Sequence, residues 1–101
     1  AHAPEKTVVV AAEFMANAGD CEDYAIAKYF TLSVLGFADR DLRVMAVMDN
    51  TRGIGHSVLA ANVKGRVYVL DNLSATVLRD TDYAQSYTPR FAVNLTGVWT
   101  Y

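Results

Sequence analysis

Apolar and polar positions follow two different periods along the chain. Over residues 21–35 the apolar positions Ala25, Ile26, Ala27, Tyr29, Phe30, Leu32, Val34 and Leu35 recur at helical spacing, and only Glu22, Asp23, Lys28, Thr31 and Ser33 interrupt them. This predicts a helix that is apolar around most of its circumference, and therefore a buried one. Asp20 is placed as its N-cap, Asp23 completes an Asp version of the capping box, and Gly36 supplies the stop. After Gly36 the pattern turns to strands, expected over residues 42–48, 53–62 and 65–70, the last running on into Asp71. A tight turn, Asn62-Val63-Lys64-Gly65, joins the second strand to the third. A weaker strand or turn is expected over residues 76–79, and a last hairpin over residues 91–95 and 98–101 around Thr96-Gly97. Upstream, residues 6–17 read as a short helix, although Val8-Val9-Val10 suits a strand better. A buried helix followed by a meander of antiparallel strands defines an α+β domain.

Composition narrows the classes. With 101 residues the chain holds one domain, expected over residues 6–101 behind an unstructured lead-in at residues 1–5. The apolar fraction of 52% excludes disorder and lies slightly above the roughly 45–50% of ordinary soluble domains. A formal net charge of −2 gives no basic face for phosphates, so nucleic acid is not an expected partner. The longest apolar run, residues 8–12, is far short of a membrane-spanning helix, and no signal-peptide pattern is visible. The single cysteine, Cys21, excludes an intrachain disulfide and a cysteine-rich zinc site.

Cys21 is also the candidate for chemistry. At the first turn of a helix, backbone N–H groups and the helix dipole favour a thiolate and can donate to an oxyanion formed beside it. A nucleophilic thiol needs a base, and the base needs a third group to orient it. Of the two histidines, His2 lies in the lead-in, which leaves His56. With the turn centred between Val63 and Lys64, Val58 faces Val69, Ala60 faces Val67, and His56 faces Asp71 on one side of the hairpin. That apolar side is the expected seat of the helix, and docking the helix N-terminus at its His56–Asp71 end assembles Cys–His–Asp. Each residue also has a plainer reading: Cys21 as a small core residue, His56 as a structural one, Asp71 as a turn former. Asp20, Glu22 and Asp23 crowd three carboxylates around the thiol. They serve capping and the helix dipole, yet their charge opposes a thiolate, and a hard dication with oxygen ligands, such as calcium, would offset it.

The segment Gly19-Asp20-Cys21-Glu22-Asp23-Tyr24-Ala25-Ile26-Ala27-Lys28-Tyr29-Phe30 resembles the signature of the bacterial transglutaminase-like cysteine proteases, the LapG-like periplasmic proteases. Gly55-His56-Ser57-Val58-Leu59 and Val69-Leu70-Asp71-Asn72-Leu73 agree in order and character, and the likeness runs from about Glu13 to Tyr101. The resemblance implies a papain-like or transglutaminase-like fold, with Cys21 as nucleophile, His56 as base and Asp71 as its orienting partner. It implies calcium held by Asp20 and Glu22, and less firmly by Asp23. It also implies cleavage of a large surface adhesin in the periplasm, under control of a cyclic-di-GMP-responsive membrane receptor. One departure stands out. Family members carry a Trp-x-x-Pro segment ahead of the Glu-Phe pair; here Glu13-Phe14 is present but residues 6–12 hold neither Trp nor Pro. In the wider transglutaminase-like group an upstream aromatic or amide side chain helps form the oxyanion hole, and the nearest amide here is Asn17. The chain therefore reads as a catalytic core lacking the N-terminal part of the family domain. A weak or inactive relative acting as a binding module is the alternative, with a homodimer covering exposed core; acyl transfer to an amine is a further one.

Overall fold

The computed structural model describes residues 20–74 and 76–101. The expected lead-in and short upstream helix lie outside these residues. Helix α1 spans Asp20–Val34. Asp20, expected as its N-cap, is itself helical. Its end follows from Gly36, which adopts φ 106°. The Gly36 N–H bonds to the Ser33 carbonyl at 3.1 Å and the Phe37 N–H to the Leu32 carbonyl at 3.0 Å. This paired arrangement is a Schellman motif, and only the left-handed residue between its two bonds makes it closable. Phe37 and Leu32 both pack against the core.

A 3-10 turn, Asp39–Asp41, leads into strands β1 (Leu42–Asp49), β2 (Ile54–Val63), β3 (Arg66–Leu70) and β4 (Leu78–Arg79). A second 3-10 turn, Asp80–Tyr83, precedes β5 (Tyr87–Asn94) and β6 (Gly97–Thr100). The six strands form one antiparallel sheet in the order β4-β3-β2-β1-β5-β6. The expected α+β architecture, a helix on an antiparallel sheet, is the one observed.

Two details of register differ from expectation, and both bear on the site. Between β2 and β3 the loop is Lys64-Gly65 alone, with φ 53° and 81°, the two positive values of a type I′ turn. Ala60 therefore pairs with Val69 and Ala61 with Tyr68, two residues from the expected register. An even offset preserves side-chain faces, so His56 and Asp71 still share one. The helix, however, sits on the other face. Ala25 and Tyr29 of α1 pack with Leu42, Val44, Leu59 and Ala61, while Val47, Val58 and Val69 cluster on the opposite side. The reason lies in β1. Leu42, Val44 and Ala46 are buried on the helix side, whereas the alternate position Arg43 carries a guanidinium that stacks on Trp99 at 3.9 Å. Arg43, near the start of β1, puts a charged side chain at one end of the other face, where an apolar helix would have to bury it. The expectation of a helix buried all round is also revised: Phe30, Val34 and Leu35 are exposed.

The second irregularity is a β-bulge. Ala46 of β1 pairs with Phe91, but Val47 pairs with Pro89, so Arg90 has no partner on β1. One inserted residue reverses the side-chain alternation of everything beyond it. Phe91 and Val93 consequently face the helix, while Tyr87 turns to the Val47–Val58–Val69 side. A bulge is also where a strand tolerates a proline such as Pro89.

Candidate active site

Strand β2 carries His56 and the end of β3 delivers Asp71, both almost completely buried. His56 Nε2 lies 2.8 Å from Asp71 Oδ1. Asp71 Oδ1 also accepts the Leu73 N–H at 3.0 Å, and Asp71 Oδ2 accepts the Tyr87 hydroxyl at 2.5 Å. The Ser74 N–H bonds to the Asp71 carbonyl at 3.1 Å. Asp71 thus forms a turn and partners the histidine at once. Tyr87 adds its ring to the His56 environment, centroids 5.4 Å apart, and Tyr83 stacks on Tyr87 at 4.8 Å.

The electrostatics follow from these partners. Burial alone pushes the Asp71 carboxyl up, but the hydrogen bonds from Tyr87, Leu73 and His56 outweigh it and hold the carboxyl below its ordinary value. Burial, and then the adjacent Asp71 carboxylate, push the Tyr87 hydroxyl well above the usual phenol range. Tyr87 is therefore a protonated donor and Asp71 an ionised acceptor. A carboxylate without a proton can only accept, so the neutral His56 ring carries its proton on Nε2 and presents the lone pair on Nδ1. That is the tautomer a general base requires.

Cys21 is half-buried in the first turn of α1. The structure thus brings His56 and Asp71 together and sets Cys21 at the start of the helix that packs on the same strand β2, from its other face. Of the three carboxylates near the thiol, Glu22 is half-buried and Asp23 exposed. Burial, then the Asp23 charge, raise the Glu22 carboxyl above its ordinary value. Among the described residues no three His, Cys, Asp or Glu side chains are grouped to hold a metal ion. A cleft of about 380 Å³ opens on the His56 face at the far end of the strands, lined by Arg43, Met45, Ala60, Val67 and Pro89. It contains none of the candidate residues.

Sequence reasoning missed Tyr87. Regular alternation back from Val93 and Phe91 assigns position 87 to the helix side, and the inserted Arg90 reverses it. Pro89 was the one available sign of an irregular strand.

A helix on a six-stranded antiparallel sheet, with a buried His–Asp pair and a cysteine at the helix start, defines a transglutaminase-like cysteine proteinase architecture. The chain belongs to the bacterial transglutaminase-like cysteine proteinase family (BTLCP), whose profile it matches over residues 10–101. It is similar to LapG of Legionella pneumophila: at 32% identity and a TM-score of 0.73 to the calcium-bound form, over 81% of this chain and 46% of that one. The EGTA-treated form matches at 32% identity and a TM-score of 0.75, over 82% and 45%. This chain therefore spans about half the length of those structures. Comparison with curated protein sequences gives no match.

Proposed function

We propose that this chain carries the catalytic core of a cysteine endopeptidase, with Cys21 as nucleophile, His56 as general base and Asp71 as the group that orients the base. The observation that supports it best is the buried His56–Asp71 hydrogen bond at 2.8 Å in a member of a cysteine proteinase family. In this reading Cys21, at the start of α1, reaches His56 past the end of β2, and His56 Nδ1 takes the Cys21 thiol proton as Sγ attacks a peptide carbonyl carbon. The same proton then passes to the leaving amine as the C–N bond breaks. Water, deprotonated by His56, releases the acyl group and restores the thiol. The Cys21 N–H at the helix start serves the oxyanion.

The substrate class proposed is a large bacterial surface adhesin, cleaved in the periplasm and regulated by a cyclic-di-GMP-responsive receptor; the resemblance supports all three. For calcium, the oxygen donors of Glu22 and Asp23 have suitable hard-ligand chemistry, and a cation would offset what raises Glu22, burial first and the Asp23 charge second. Asp20 is the third carboxylate of the proposed set. Bound there, calcium would supply positive charge beside the thiol.

The test is cleavage of an adhesin-derived protein by the chain, with and without EGTA. Loss of cleavage in Cys21→Ala and in His56→Ala is the expected result. Cleavage that survives Cys21→Ala removes the proposal. A second reading, a binding module without turnover, draws on residues 6–12, which hold neither Trp nor Pro where the family pattern has Trp-x-x-Pro; adhesin binding with no cleavage selects it. Amine acyl transfer uses the same three residues, and product mass separates it from hydrolysis.

A further inference from the structure

We infer that Tyr87 is a positioning residue: its hydroxyl, donated to Asp71 Oδ2, fixes the carboxylate that orients His56. The inference rests on the reading of His56 as general base, but its physical content is separable from that reading. Three observations carry it. The first is the contact, 2.5 Å from the Tyr87 hydroxyl to a carboxylate that is 2% exposed. A charge-assisted O–H···O bond is roughly twice as strong as a neutral one.

The second is geometric. Asp71 Oδ1 is shared by His56 and the Leu73 N–H, and Tyr87 is the donor seated on the buried Oδ2, with the Tyr83 hydroxyl the other phenol acting on this carboxylate. A buried carboxylate oxygen that loses its seated donor favours rotation about χ2, and rotation moves Oδ1 off the histidine. The third is construction. The Arg90 bulge turns Tyr87 onto this face, Tyr83 stacks on its ring with only 13° between the planes, and the ring lies against His56. The phenol is thus held from both sides, as a supporting group must be to constrain another.

The groups facing Asp71 are His56 from β2, Tyr87 from β5, Tyr83 from the second 3-10 turn, and Arg52 from the β1–β2 turn, whose own charge is paired with Asp49 at 2.7 Å. Of these, Tyr87 and His56 hold the two carboxylate oxygens.

The test is Tyr87→Phe, which keeps the ring and deletes only the donor. Two readouts on the free protein come first: the titration of the Asp71 carboxyl carbon by NMR, and the resonance of the His56 Nε2 proton. The Asp71 midpoint is expected to move up, and the His56 proton to broaden as it exchanges faster with water. On cleavage, kcat falls about tenfold while KM stays within about twofold, the split expected when orientation and not substrate binding is lost. An unchanged Asp71 midpoint and an unchanged His56 proton overturn the inference, even if kcat falls. If the parent chain cleaves nothing, the endopeptidase reading fails, and the two NMR readouts still decide whether Tyr87 holds the pair. Should Tyr87→Phe fail to fold, site-specific 3-fluorotyrosine at position 87 preserves the shape and strengthens the donor. It must move the Asp71 midpoint down, and no movement overturns the inference.

Discussion

Asp71 concentrates three demands on one buried carboxylate: it closes the turn after β3, accepts from Tyr87 and orients His56. Its replacement by Asn separates charge from shape. An amide keeps the volume and can leave its oxygen toward the His56 ring N–H and the Leu73 N–H, with its NH2 toward the Tyr87 hydroxyl, so the tautomer is kept and only the negative charge beside the imidazolium is lost. Asp71→Asn is therefore expected to lower kcat in the cleavage assay by less than the roughly 10⁴-fold seen where the amide also selects the wrong tautomer. The same substitution changes the pH dependence of stability. The Asp71 carboxyl lies below its ordinary value in the folded chain. Its contribution is thus fully present above the unfolded value of about 3.9 and is lost as pH falls through the lower folded value. Urea unfolding at pH 6 and again at successively lower pH checks this. The variant should be less stable at pH 6, and its stability should fall less steeply on acidification; parallel acid limbs contradict the assignment. At this scale the pair His56–Asp71 was legible in the sequence because strand alternation depends only on parity, and the two-residue offset of the hairpin preserved it. Tyr87 was not, because a bulge inverts parity and is written in the sequence only as Pro89 beside the extra Arg90.

The elements show where local chemistry decides and where packing does. Gly36 and Lys64 both sit at positive φ, with opposite consequences for substitution. At Gly36 the position a Cβ would take has nothing within 4 Å, so any cost of Gly36→Ala is backbone strain alone. The strain of a left-handed non-glycine residue is about 1 kcal/mol, and at the end of α1 it also opposes the two Schellman bonds. Thermal unfolding should show a fall of about 4–8 °C. Lys64 already bears such strain, in the first position of a type I′ turn where Asn is favoured. Lys64→Asn is expected to gain about 0.5 kcal/mol, seen as a higher melting temperature. If it destabilises, the turn type is misassigned. The Asn62 side chain, which accepts the Gly65 N–H at 3.0 Å, already favours this turn. Such stops and turns are readable because glycine and the positions beside it report φ directly. The seat of α1 was not, because both faces of β2 are apolar and alternation on that strand alone does not choose between them.

Among the described residues, α1 is covered on one side only. Ala25 and Tyr29 are buried against the sheet, while Phe30 is 55%, Leu35 71% and Val34 87% exposed. Large apolar side chains grouped on one exposed helix face are what protein contacts use, and when unpartnered they promote self-association. This fits the chain's slightly high apolar fraction of 52%, which a single small core does not require. The last turn of α1 also carries no basic residue, so its carbonyl end lacks the cation the helix dipole favours. Val34→Lys with Leu35→Lys alters both properties in a predictable direction. Removing exposed apolar surface forfeits no core contact, and adding positive charge at the helix C-terminus contributes about 0.3–1 kcal/mol. The double variant should therefore melt no lower than the parent. In sedimentation velocity over a concentration series, the parent is expected to shift toward larger species while the variant stays monomeric. Identical concentration dependence in the two proteins would show that the outer face of α1 does not drive association. A lower melting temperature would place these two side chains in a core that the exposed positions of Val34 and Leu35 contradict.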